Sequence, residues 1–91
     1  MEQKKTEDLL KEKLKEKGLK VTHQRLKVLS VLEQNSGVHM TAEDVYELVS
    51  QECPEIGLAT VYRTLQLLWE IQLVDRISLD DGCVRYDRSP D

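Results

Sequence analysis

The side chains of this 91-residue chain that can do chemistry are mostly hydrogen-bond donors at helical spacing, not nucleophiles. Cys53 and Cys83 lie far apart, with no CxxC and no neighbouring histidine pair. They suit neither a disulfide framework nor a zinc knuckle, so folding is expected to need no metal. No nucleophile stands beside a base and no glycine-rich phosphate loop occurs, which speaks against an enzyme. The run Thr60-Val61-Tyr62-Arg63-Thr64 is more informative. Arg63 falls on the polar side of a predicted helix, where a guanidinium can donate twice to guanine O6 and N7; a solvated arginine is the plainer alternative. Thr60 and Thr64, near the start of that helix, are sized to bond phosphate at the positive end of the helix dipole, although Thr60 can instead cap the helix. Thr22, Gln24 and Arg25 open an earlier helix, where amides and side chains suit a phosphate; Arg25 can equally pair with an acid. Arg76 and Arg85, in a predicted hairpin, offer further backbone contacts.

The elements that must position these groups follow from periodicity and capping residues. Thr6 reads as an N-cap followed by Glu7 and Asp8, with Leu9, Leu10 and Leu14 at helical spacing until Gly18. A second helix starts at Thr22, carries Leu26, Val28, Leu29, Val31 and Leu32, and closes at Asn35-Ser36-Gly37. Thr41 and Asp44 stand in capping-box spacing ahead of Val45, Leu48 and Val49, and Cys53-Pro54 stops that third helix. Residues 59–71 form a fourth helix with Val61, Leu65 and Leu68 on one stripe, leaving Thr60, Arg63, Thr64 and Gln66 off it. From Leu73 the period changes to two, broken by the turn Asp80-Asp81-Gly82, which predicts a β-hairpin ending near Asp87. The expected fold is therefore mainly α with a small β-hairpin: a winged helix with an extra N-terminal helix. In that architecture the last helix enters the major groove while the hairpin follows the phosphates, but some winged helices bind proteins instead. The acidic third helix, with Glu43, Asp44, Glu47 and Glu52, is the candidate surface for that alternative.

Composition bounds the reading. The chain is 40% apolar and 33% charged with a net charge of −4, which fits one small soluble domain. It has no long apolar run and no apolar stretch behind a basic N-terminus, so no membrane partner is expected and a cytoplasmic location is. Phe is absent, and the core must be built from Leu, Val and Ile. Net acidity argues against a nucleic-acid partner, because neutralisation of phosphates supplies most non-specific affinity. The charge is regional, however: residues 1–34 hold nine Lys and Arg against six acids, whereas residues 35–56 hold five acids and no base.

The run Gly57-Leu58-Ala59-Thr60-Val61-Tyr62-Arg63-Thr64-Leu65 resembles the recognition helix of the ferric uptake regulator family of metal-dependent bacterial repressors. Gly18-Leu19-Lys20-Val21-Thr22 with Gln24-Arg25 is similar to that family's approach to its second helix, His39 to Tyr46 to the segment opening its third, and Arg85-Tyr86-Asp87 to the close of its wing. The resemblance spans residues 18–87. It implies sequence-specific binding of duplex DNA at a palindromic, A·T-rich operator, with Tyr62 against a thymine methyl as well as Arg63 on a base. Tyr62 can otherwise pack in the core beside Val61. Lys20 stands where the family's lysine reaches an adjacent minor groove, against the alternative of a plain surface lysine. His39 and Asp87 stand at positions of a regulatory metal site for Fe(II), Mn(II) or Zn(II), completed by histidines beyond the wing. An exposed histidine before a helix cap is the other reading of His39. His23 matches no ligand position and reads as surface, Cys53 as a small buried apolar residue, and Cys83 as a wing residue. Residues 1–87 are thus expected to be the DNA-binding domain and 88–91 the start of a hinge to a dimerisation domain. The longer protein is expected to be a homodimer that takes up the metal, and the present stretch a monomer. Iron, zinc and peroxide branches share this framework.

Overall fold

Short-range capping chemistry decides where most of the helices begin and end. The computed structural model describes residues 2–78 and 81–88, with side chains from residue 7 onward. Helix α1 spans Glu2–Glu16, α2 His23–Gln34, α3 Ala42–Glu52 and α4 Leu58–Glu70. The Thr22 hydroxyl accepts the Arg25 amide at 3.2 Å and starts α2. At α3 the reciprocal capping box forms: Thr41 Oγ1 accepts the Asp44 amide at 3.1 Å, and Asp44 Oδ2 accepts the Thr41 amide at 3.2 Å. Helix α1 ends in a Schellman turn in which the Gly18 amide donates to Lys15, the Leu19 amide donates to Leu14, and Gly18 adopts φ +79°. Helix α4 ends the same way through Gln72 and Leu73, with Gln72 at φ 66°, where a side chain is strained.

Three antiparallel strands complete the fold: β1 (Met40–Thr41), β2 (Val74–Ser78) and β3 (Val84–Arg88), in the order β1-β3-β2. The β2–β3 hairpin runs in register from Val74 opposite Arg88 to Ser78 opposite Val84, and β1 adds Met40 opposite Tyr86 and Thr41 opposite Arg85. All four helices and the sheet contribute to one core. Its members include Leu10 and Leu14 of α1, Val28, Leu29 and Leu32 of α2, Val45 and Val49 of α3, Val61, Leu65 and Leu68 of α4, and Val74 and Tyr86 of the sheet. Among the described residues no helix is long and apolar enough to cross a membrane.

Four expectations change. Helix α1 begins at Glu2, not at Thr6, because the Gln, Lys and Glu residues ahead of Thr6 are good helix formers and Thr costs little inside a helix; Leu9 is exposed. Helix α4 begins at Leu58 with Gly57 as its N-cap, so Thr60 lies within the first turn and does not cap it. The hairpin becomes a three-stranded sheet, since β1 is two residues long and carries no period of its own. Arg88, assigned to the hinge, is still in β3, where its guanidinium donates to Glu33 of α2 at 2.8 Å; residues 89–91 lie outside the described residues, as do Leu79 and, from the predicted turn, Asp80.

Candidate nucleic-acid interface

Helix α4 turns Val61, Thr64, Leu65 and Leu68 inward and leaves Tyr62, Arg63 and Gln66 on its outer face. Arg63 is exposed and makes no hydrogen bond or ion pair among the described residues. Tyr62 is 46% exposed, which excludes core packing, and its hydroxyl donates to Glu43 Oε1 at 3.5 Å. The Glu43 carboxylate, with a smaller push from burial, raises the Tyr62 phenol above its ordinary pKa and keeps it a neutral donor. Thr64 departs from expectation. It is 7% exposed, and its hydroxyl donates to the Thr60 carbonyl at 2.7 Å. Thr64 is therefore removed from the phosphate-contact set. Its spacing explains why: it lies three residues after Val61 and four before Leu68, on the same buried stripe. Thr60 is half-buried beside it.

Two other elements flank α4. The start of α2 lies against the turn leading into α4, where His23 Nε2 is 3.7 Å from Glu55 Oε2, two residues ahead of the Gly57 cap. Thr22, Gln24 and Arg25 are thereby held beside the N-terminal end of α4. Gln24 is exposed, while the Arg25 guanidinium donates to the Lys20 carbonyl at 2.9 Å. Arg25 thus pairs with backbone, not with an acid, and fixes the loop from which the exposed Lys20 side chain projects. At the other end of α4, the Arg76 guanidinium of β2 stacks on the Trp69 ring, 5.0 Å from its centroid, and presents a cation beside the C-terminal turn of α4. Arg85 is drawn back instead. Its guanidinium donates to Asp81 at 3.0 Å across the hairpin turn, and its Nε is buried without a partner. The Cys83 amide first, and then Arg85, hold the Asp81 carboxyl below the ordinary aspartate value.

His39 and Asp87 meet where the loop before β1 passes the end of β3. Asp87 Oδ1 accepts amides from Gly37 at 3.2 Å and Arg88 at 2.8 Å, and Oδ2 faces His39 Nε2 at 3.8 Å. Two donors each about 2.1 Å from one ion lie at most about 4.2 Å apart, so one imidazole and one carboxylate fit a shared divalent ion.

These features coincide with a match of residues 16–91 to the profile described as the Ferric uptake regulator family. The chain belongs to the ferric uptake regulator family. It is 51% identical over 80 residues to the Ferric uptake regulation protein of Bacillus subtilis, covering 88% of this chain and 54% of that protein. It is 45% identical over 69 residues to the Escherichia coli protein of the same name, covering 76% and 47% respectively. The chain therefore spans about half the length of the curated relatives it matches. The Vibrio cholerae ferric uptake regulator, whose DNA-binding domains are described as rearranged, superposes with TM-score 0.81 at 40% identity, over 88% of this chain and 61% of that one. The peroxide-sensing regulator PerR of Streptococcus pyogenes superposes with TM-score 0.77 at 29% identity, over 90% and 56%.

Within this family framework, four residues in roles that the sequence did not assign position the others. Trp69 supports Arg76, Glu43 holds Tyr62, Arg88 ties β3 to α2, and Glu55 meets His23. An acid or aromatic partner joined across a helix–strand or helix–helix junction follows no fixed spacing, so none of these pairings is legible in the chain.

Proposed function

We propose that this chain is the DNA-binding domain of a metal-responsive bacterial repressor, with α4 in the major groove of a palindromic, A·T-rich operator. The observation that carries this reading is the pair Tyr62 and Arg63, exposed side by side on α4, with Arg63 uncommitted among the described residues. Arg63 donates to a guanine edge and Tyr62 packs on a thymine methyl. Lys20 enters the neighbouring minor groove, and Thr22, Gln24 and Arg25 hold a phosphate with the α2 N-terminus. Thr60 and Arg76 add backbone contacts. Arg85 joins them only by releasing Asp81.

His39 and Asp87 would hold one side of a regulatory Fe(II), Mn(II) or Zn(II) ion, which supplies a positive centre that draws further donors from the remainder of the longer protein. Among the superposed structures, 40% identity to the Vibrio cholerae ferric uptake regulator against 29% to PerR supports the iron branch. In the whole protein two copies of α4 would reach two half-sites together, whereas this domain alone binds as a monomer and lacks that gain in effective concentration.

The test is selection of binding sequences from a random duplex library, followed by anisotropy titration of the selected and a scrambled duplex over a range of salt. Affinity for the selected duplex that falls steeply with salt is expected, with Arg63→Ala lowering it about 5- to 150-fold and erasing the preference over the scrambled duplex. Lys20→Ala is expected to weaken both duplexes alike and to reduce the salt slope. No binding to any duplex at low salt would overturn the proposal and direct attention to the acidic face of α3 as a protein-docking surface.

A further inference from the structure

We propose that His23, Cys53 and Glu55 form a second metal site, for Zn(II), at the junction of α2, α3 and α4 and apart from the His39–Asp87 pair. His23 is the first residue of α2, held by the Thr22 cap. Cys53 is the C-cap of α3, fixed by its amide donating to Val49 at 2.8 Å and its carbonyl accepting from Ile56 at 3.0 Å. Glu55 lies in the turn that leads into α4. Residues 30 positions apart are thus brought together: His23 Nε2 lies 3.2 Å from Cys53 Sγ and 3.7 Å from Glu55 Oε2, and the three donor atoms all lie within 4.8 Å of one another.

The geometry suits tetrahedral zinc. With Zn–S of about 2.3 Å and Zn–N and Zn–O of about 2.0–2.2 Å, donor atoms at tetrahedral angles stand roughly 3.4–3.6 Å apart, and the two measured separations straddle that range. The sulfur is the rigid donor, because Cys53 is only 7% exposed. His23 and Glu55 side chains are each 65% exposed, so they can close on an ion at little cost and leave the fourth position to water. A thiolate with an imidazole selects a borderline-soft ion, and the carboxylate favours Zn(II) over Cu(I). On binding, the Cys53 thiol releases its proton to solvent as the sulfur–zinc bond forms, so affinity falls as pH falls. An ion here would pin the first turn of α2, which carries Thr22, Gln24 and Arg25, to the turn that caps α4.

The test uses the 91-residue chain, reduced and metal-free, titrated with Co(II) and then Zn(II). A thiolate-to-Co(II) charge-transfer band should grow to one equivalent and be displaced by Zn(II). It should vanish in Cys53→Ser, persist in Cys83→Ser and in His39→Ala, and require at least tenfold more Co(II) in His23→Gln and Glu55→Gln. Free Zn(II) about 100-fold above its Kd should raise Tm by about 10–20 °C, and not in His23→Gln. His23→Gln changes only an exposed side chain and decides the matter if Cys53→Ser folds poorly. Absence of the band, a band retained in Cys53→Ser or lost in Cys83→Ser, or equal thermal stabilisation of His23→Gln would each overturn the proposal. Cobalt binding lost in His39→Ala instead would assign the ion to the other corner.

Discussion

The inner and outer faces of α4 share thirteen residues and one backbone, yet their side chains have opposite fates. Inward, Val61, Leu65 and Leu68 are wholly buried, and Thr64 beside them spends its hydroxyl on a carbonyl of its own helix. Outward, Arg63 and Gln66 make no bond within the described chain, and Tyr62 makes one long bond to Glu43. The contrast teaches that residue type alone does not assign a task on this helix. Thr60 and Thr64 are the same residue one turn apart, and a rotation of a few tens of degrees separates a candidate phosphate ligand from a core residue.

The sharpest way to break the contrast is to make an inner change behave like an outer one. Leu65→Ala should lower unfolding free energy by about 2–5 kcal/mol, read from urea denaturation, through lost burial and a residual cavity. Next in size, Arg63→Ala should leave that stability within about 0.5 kcal/mol of the parent while costing about 1–3 kcal/mol of binding to the selected duplex. If Arg63→Ala unfolds the domain instead, the two faces are not independent. Thr64→Val should reduce stability by no more than about 1 kcal/mol and leave DNA affinity unchanged; a loss of affinity with an unaltered salt slope would return Thr64 to the interface. Gln72→Gly should raise stability by about 0.5–1 kcal/mol, since glycine removes the strain of the left-handed C-cap while adding backbone entropy to the unfolded chain. The smallest effect concerns pH. The Asp81 carboxyl is held below its ordinary value, so its contribution is present above the unfolded-state pKa and is lost as pH falls through the folded-state value. Asp81→Asn should therefore flatten the acid limb of the stability profile slightly, and it also frees Arg85.

Much of this was legible in the chain because it depends on neighbours within one turn. The Thr22 cap, the Thr41–Asp44 box, the stop at Cys53-Pro54 and the Val61, Leu65, Leu68 stripe were all read from spacing and recur in the fold. Thr64 was legible too, by the same period, but chemical preference for a hydroxyl outside the core outweighed position. Strand β1 was not legible. Two residues give no alternation, and Met40 is defined as strand only by Tyr86 opposite it.

By itself the sequence determined most of the helices, the hairpin, the family and the outward placement of Arg63, because capping, periodicity and a nine-residue run are local properties; that Tyr62 lies outside the core was decided by the fold. Only the tertiary structure decided which groups of different elements meet. It set the facing His39 and Asp87, the stacking of Arg76 on Trp69, the withdrawal of Arg85 to Asp81, and the convergence of His23, Cys53 and Glu55. The reason is physical: groups on different helices, strands and turns are brought together by how those elements pack around a shared aliphatic core, and that packing leaves no fixed spacing along the chain.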